Sequence, residues 1–142
     1  MITVKDILAF LDSKAPLDTQ LDFDNAGFLC GDAAAEVTRV LVALDITDGV
    51  VAEAADFGAE LIVSHHPVCF TPMKSVTTDD LTGRKFAAML RNGISAICMH
   101  TNLDAAPGGV NDALCAALGA ENLGLLAPEH DTMSRLCRFA EP

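Results

Sequence analysis

Three uninterrupted apolar runs, each followed by a helix-like pattern, constrain this chain more than any other feature. "VTRVLVALD" ends at Asp45, "ELIVS" leads into the pair His65-His66, and "ISAICM" ends at His100. Short runs of β-branched and aliphatic residues read as buried strands. After the first run, Val50, Val51, Ala54 and Ala55 recur at helical spacing, with Thr47 or Asp48 as cap and Gly58 as the stop. After the second, a polar stretch runs to about Asp80, and a helix through Phe86, Met89 and Leu90 stops at Asn92-Gly93. After the third, Pro107-Gly108-Gly109 leads to a helix from Asn111 to Leu118, closed by Gly119. Such alternation builds parallel βαβ units, whose strands are covered on both faces and therefore read as continuous apolar runs. The predicted fold class is α/β, a mostly parallel sheet with flanking helices, in one domain over residues 1–142.

Ahead of this core, Val4, Ile7, Leu8 and Leu11 mark a helix that Thr3 caps, with Asp6 three residues on, and that Pro16 ends. "LDFDNAGFLCG" then reads as a turn-rich connection, in which Asp24-Asn25 makes an Asx turn. "SRLCRF" near the end reads as a further strand.

Composition excludes several function classes. A net charge of -11 with no Lys/Arg cluster repels nucleic acid, whereas it attracts cations. Five cysteines without a CxxC pair support neither a zinc ribbon nor a thioredoxin-like motif, and Cys69 and Cys98 are expected to be reduced and buried among apolar neighbours. With no Trp or Tyr, the core must be aliphatic. The opening "MITVKDILAF" lacks the pattern of a signal peptide, and no segment approaches the ~20 apolar residues of a membrane span, so a cytoplasmic protein is expected.

The chemistry gathers at the strand ends. Asp45, His65-His66 and His100 each close a successive strand, and in open α/β sheets the carboxyl edge is where ligands bind. The histidines are either polar residues that happen to end strands or metal ligands. Imidazole nitrogen and carboxylate oxygen together suit zinc, iron or manganese. Adjacent histidines on a regular strand would point to opposite faces, but Pro67 breaks the pleat and lets both face one pocket, one imidazole for each of two neighbouring ions. His100 and Asp104 can meet if "HTNLD" forms a helical turn, with Asp45 or Thr101 supporting the ligands. Cys69 reads as a packed thiol rather than a nucleophile, His130 as solvated, and Pro107-Gly108-Gly109 as a tight turn rather than an anion site.

"DFDNAGFLCG", "VALDIT", "LIVSHHPVCF" and "HTNLDAAPGGVNDALCAALG" together resemble the NIF-three-like family of dinuclear metal-centre proteins, also described as GTP cyclohydrolase type 2 homologues. The resemblance runs along essentially the whole chain and corresponds to the N-terminal half of the family. It implies metal ligands at His65, His66 and Asp104, with His100 adjacent, two divalent ions in a complete site, an α/β fold and ring-shaped homohexamers. It also implies a further His and Glu from a C-terminal segment. Nothing after Asp104 offers that pair, since Glu129-His130 lacks the motif, so an incomplete ligand set is expected. Phe23 stands where the family usually has Trp. The reading that follows is a divalent-metal protein with hydrolase or cyclohydrolase-like activity on an unknown small molecule. The alternative is a non-catalytic assembly or regulatory protein with a structural metal.

Overall fold

The computed structural model describes residues 1–127 and 131–140. Its element order begins with α1 (Val4–Lys14), a 3-10 turn (Leu17–Thr19) and β1 (Gly27–Cys30). Then come β2 (Val40–Ala43), α2 (Asp48–Phe57), β3 (Leu61–Ser64), α3 (Leu81–Arg91) and β4 (Ser95–Cys98). Two helices, α4 (Thr101–Ala105) and α5 (Val110–Ala117), lead to a hairpin of β5 (Glu121–Ala127) and β6 (Asp131–Arg138). Among the described residues no helix is long and apolar enough to cross a membrane.

Local chemistry sets the helix limits. Thr3 and Asp6 form a reciprocal capping box on α1. The Thr47 side chain, rather than that of Asp48, accepts the Val50 N–H and starts α2, and Gly58 stops it at φ 69°. Asp80 caps α3 by accepting the Gly83 N–H at 2.8 Å.

The main sheet has the order β1-β4-β3-β2. β2, β3 and β4 are parallel and in register, Ala43 beside Ser64 and Ser64 beside Cys98. β1 corrects the turn-rich reading of "LDFDNAGFLCG": Gly27–Cys30 pairs antiparallel with β4. Such an edge strand carries too few residues for its alternation to stand out, and a bulge between Phe28 and Cys30 interrupts it. The later strand signal is also wider than "SRLCRF", because β6 starts at Asp131 and pairs with β5. Pro128, Glu129 and His130, including the histidine read as solvated, lie outside the described residues.

Two apolar layers sandwich the sheet. Ile62, Ala96 and Cys30 face α2 and α3, packing with Val51, Ala54, Phe86 and Met89. Leu61 and Ile97 face the other way, toward Val4, Ala15, Met99 and Ala106. Alternation along each strand feeds both layers, and each fully buried Leu or Ile contributes about 1.5–3 kcal/mol. The expectation that every parallel strand is covered on both faces holds for β4, buried at all positions, but not for β2. β2 is an edge strand, and Val42 is 78% exposed.

At the amino edge, Glu60 ties the strand starts together. Its carboxylate accepts the N–H groups of Arg39 (2.8 Å) and Thr38 (3.0 Å) and the Thr38 hydroxyl (3.0 Å), while its carbonyl accepts Ser95 N–H. Donation from the Arg39 and then the Thr38 N–H pulls the carboxyl from 4.5 to about 2. A carboxyl lowered on folding stabilises the fold above its unfolded value and loses that contribution as pH falls. The melting-temperature gap between wild type and Glu60→Gln is therefore expected to be widest above pH 4.5 and to narrow toward pH 2. A gap independent of pH in thermal melts would count against this role.

Gly109 joins α4 to α5 at φ -78°, a backbone any residue adopts, but a methyl there would overlap the Leu103 carbonyl oxygen. Gly109→Ala is expected to lower unfolding stability by about 1–3 kcal/mol in urea, the usual cost of overpacking. A variant as stable as wild type would show that this turn relaxes freely.

Candidate functional site

The in-register pairing carries the chain past Ala43, Ser64 and Cys98 at one level, so Asp45, His66 and His100, each two residues on, emerge together. β3 ends at Ser64, and the histidine pair lies in the bend beyond it. The pleat therefore no longer separates the two rings, whose centroids are 5.0 Å apart. Their backbone N–H groups still bond the β2 extension, His65 to Ala43 O and His66 to Leu44 O, and Ser64 Oγ donates to His66 O. β4 delivers His100, whose ring centroid is 5.2 Å from that of His65 and 5.6 Å from that of His66.

Each imidazole is held through Nδ1. His65 Nδ1 is 2.9 Å from Met99 O, His66 Nδ1 is 2.7 Å from Asp45 Oδ1, and His100 Nδ1 is 2.9 Å from Asp24 Oδ1. A carbonyl or carboxylate oxygen only accepts, so Nδ1 is the donor in all three. A neutral imidazole that donates from Nδ1 keeps a lone pair on Nε2. Each of the three residues offers one ligand atom within 4.8 Å of the other two.

Asp104 joins from α4. Asp104 N–H bonds His100 O at 3.1 Å, the helical turn anticipated for "HTNLD", and Asp104 Oδ1 lies 3.7 Å from His65 Nε2. The carboxylate thus stands on the His65 side of the cluster. His100, anticipated as adjacent, is one of the three mutually close imidazoles. Asp45 supports His66, while Thr101 acts at one remove by holding Asp24.

Asp24 is the residue that sequence reasoning missed. Its Oδ1 does accept the Asn25 N–H, as in an Asx-type turn, but the side chain is fully buried and also holds His100 and Thr101. Oδ2 accepts the Thr101 N–H at 3.0 Å and the Thr101 hydroxyl in a short contact. Burial alone would raise its carboxyl, but hydrogen bonds from Thr101, His100 and Asn25 outweigh that and hold it below the ordinary aspartate value. The available signal was acidic "DFD" ahead of a glycine strand, which carries no long-range partner on its face.

The thiols divide. Cys98 is buried, donates to His65 O at 3.0 Å, and is pushed up to about 12 by burial and then by the Asp24 charge. Cys69 departs from the expectation of burial: it is half-buried at the wall of a cleft, because it follows Pro67 out of the sheet. Asn25 Nδ2 donates to its carbonyl at 2.8 Å. This cleft, about 580 Å³, is lined by Phe23, Asp24, Asn25, Cys69, Phe70 and Phe86 among others. The Phe70 ring meets His100 edge-on at 5.5 Å, so the cleft adjoins the imidazole cluster.

Residues 2–142 match the Duf34/NIF3 (NGG1p interacting factor 3) family. A Clostridium perfringens protein named GTP cyclohydrolase 1 type 2 homolog is 41% identical over 116 residues, which cover 82% of this chain and 44% of that protein. The crystal structure of a Bacillus cereus protein related to NIF3 is similar at TM-score 0.83 and 38% identity, covering 89% of this chain and 35% of that one. Reduced HcgD from Methanocaldococcus jannaschii is similar at TM-score 0.81 and 30% identity, covering 93% and 52%. The chain spans less than half the length of the curated relatives it matches.

Replacing Asp24 by alanine strips the acceptor from the Thr101 N–H, the Thr101 hydroxyl and His100 Nδ1. The expected loss is on the order of 1–3 kcal/mol in urea unfolding, the cost of buried donors left unmade. The His100 ring is also expected to lose its single tautomer in nitrogen-15 spectra. Unchanged stability together with an unchanged His100 tautomer would sink this assignment.

Proposed function

The chain belongs to the Duf34/NIF3 family, and on that premise we propose that His65, His66 and Asp104, with His100 beside them, hold divalent metal for hydrolase or cyclohydrolase-like chemistry on a small molecule. The observation that carries this reading is the anchoring of all three imidazoles through Nδ1, which leaves each Nε2 lone pair for a ligand, in three residues whose ligand atoms lie within 4.8 Å of one another. Metal-bound histidines typically use their second nitrogen in this way, donating it to a carboxylate or a backbone carbonyl. The donor set fits: neutral imidazole and carboxylate suit zinc, iron or manganese, and an acidic chain draws cations toward the site.

A divalent ion held there would supply Lewis acidity toward a carbonyl, phosphoryl or ring carbon and make water a nucleophile near neutral pH. The protein's part is positional. Met99 O, Asp45 and Asp24 fix the three rings, and Asp104 adds negative charge beside His65. Structural zinc sites are usually closed and rich in cysteine, whereas this cluster is histidine-based and adjoins a cleft, which favours an open site over a purely structural one.

Equilibrium dialysis against zinc or manganese, followed by metal analysis, is expected to show divalent metal bound by the chain. His65→Ala and His66→Ala are each expected to reduce affinity at least tenfold. Retention of full metal affinity by both variants would overturn the ligand set.

A further inference from the structure

Away from the imidazole cluster, the described residues bring two thiols into contact. Cys115 lies in α5 and Cys137 in β6, and their sulfur atoms are 2.8 Å apart. Both are free thiols. Neither was singled out by its sequence neighbourhood, since 22 positions separate them.

The approach is built into the packing of the hairpin on α5. Asp112 and Cys115 are three residues apart and share a helix face, while Arg135 and Cys137 are two apart and share a strand face. Those faces meet twice. Arg135 Nε donates to Asp112 Oδ1 at 2.5 Å, and one step along, the sulfur atoms touch. From β5, Asn122 Nδ2 also donates to Asp112 Oδ1, at 2.8 Å. Arg135 further bonds the Thr132 and Met133 carbonyls, so its guanidinium fixes the strand's own curvature as well as its distance from α5.

We propose that Cys115 and Cys137 form a dithiol–disulfide couple, a latch that oxidation by a low-molecular-weight disulfide closes to bond the β5–β6 hairpin covalently to α5. Cys115 is buried and Cys137 half-buried, which sets the order of events. The Cys137 thiolate attacks one sulfur of glutathione disulfide and releases one glutathione thiolate. The Cys115 thiolate then attacks the Cys137 sulfur of that mixed disulfide and releases the second. One S–S bond forms, one is consumed, and the two cysteine protons end on two glutathione molecules.

Two features suit the couple to reversible use. Closing to a bond of about 2.05 Å needs the sulfurs to move only about 0.8 Å closer. The Cys30 and Cys98 thiols, buried in or against the sheet and pushed up to about 11 and about 12, are withdrawn from competing exchange.

The experiment treats the native chain with glutathione disulfide, then unfolds it in guanidinium with N-ethylmaleimide to alkylate every remaining thiol, and maps peptides without reduction. The expected product joins the Cys115 and Cys137 peptides, two hydrogen masses lighter, with Cys30, Cys69 and Cys98 alkylated. The oxidised protein is expected to melt roughly 10 °C higher than the reduced one, reversibly with dithiothreitol, because the link restricts the unfolded chain. Cys115→Ser and Cys137→Ser should each abolish that shift while keeping the wild-type circular dichroism spectrum. A lasting glutathione adduct on Cys137, a link to Cys69 or to a second chain, or five alkylated cysteines after treatment would each overturn the latch.

Discussion

The site depends first on register. Parallel strands β2, β3 and β4 pair so that Ala43, Ser64 and Cys98 lie side by side, and whatever follows each strand must emerge at a common level. A one-residue slip of β3 would turn Ile62 and Leu61 to opposite layers and exchange the core faces, so burial itself enforces the pairing. Glu60 reinforces it from the opposite edge by holding Thr38 and Arg39, while its own carbonyl accepts Ser95 N–H. The convergence of three imidazoles is thus a consequence of core packing carried along rigid strands to their ends.

Convergence alone would leave three rings free to rotate. What distinguishes this edge is that the anchors come from separate elements: Met99 from the end of β4, Asp45 from the end of β2, and Asp24 from the segment before β1. The Asp24 side chain is fully buried, and a buried carboxylate is tolerated only when its lone pairs are occupied. Thr101, His100 and Asn25 occupy them. The same contacts that satisfy Asp24 fix His100, so the stability of the segment and the orientation of the ring are one requirement.

The hairpin obeys a different logic. β5 is exposed at nearly every position, and the link from β6 to α5 includes the Arg135–Asp112 pair and the two thiols. Such polar attachment depends strongly on individual contacts, which is why a sulfur–sulfur bond there would matter more than one within the sheet, where Leu61, Ile62 and Ile97 are already fully enclosed.

By itself the sequence determined the βαβ order, because apolar runs and helical periodicity are local signals, and it marked Asp45, His65-His66 and His100 as strand-end residues. The caps at Thr3 and Gly58 were legible for the same reason. β1 and β5 were not: one is four residues long and broken by a bulge, and the other has no buried face to impose alternation. Nor could sequence spacing reveal that Asp24 holds His100 from 76 positions away, or that Cys115 meets Cys137. Whether two adjacent histidines point together or apart likewise depends on where the strand stops, and that was set by its pairing with β2 and β4. Periodicity records how each segment meets water and core. Which distant side chains then face one another is decided only when the layers pack.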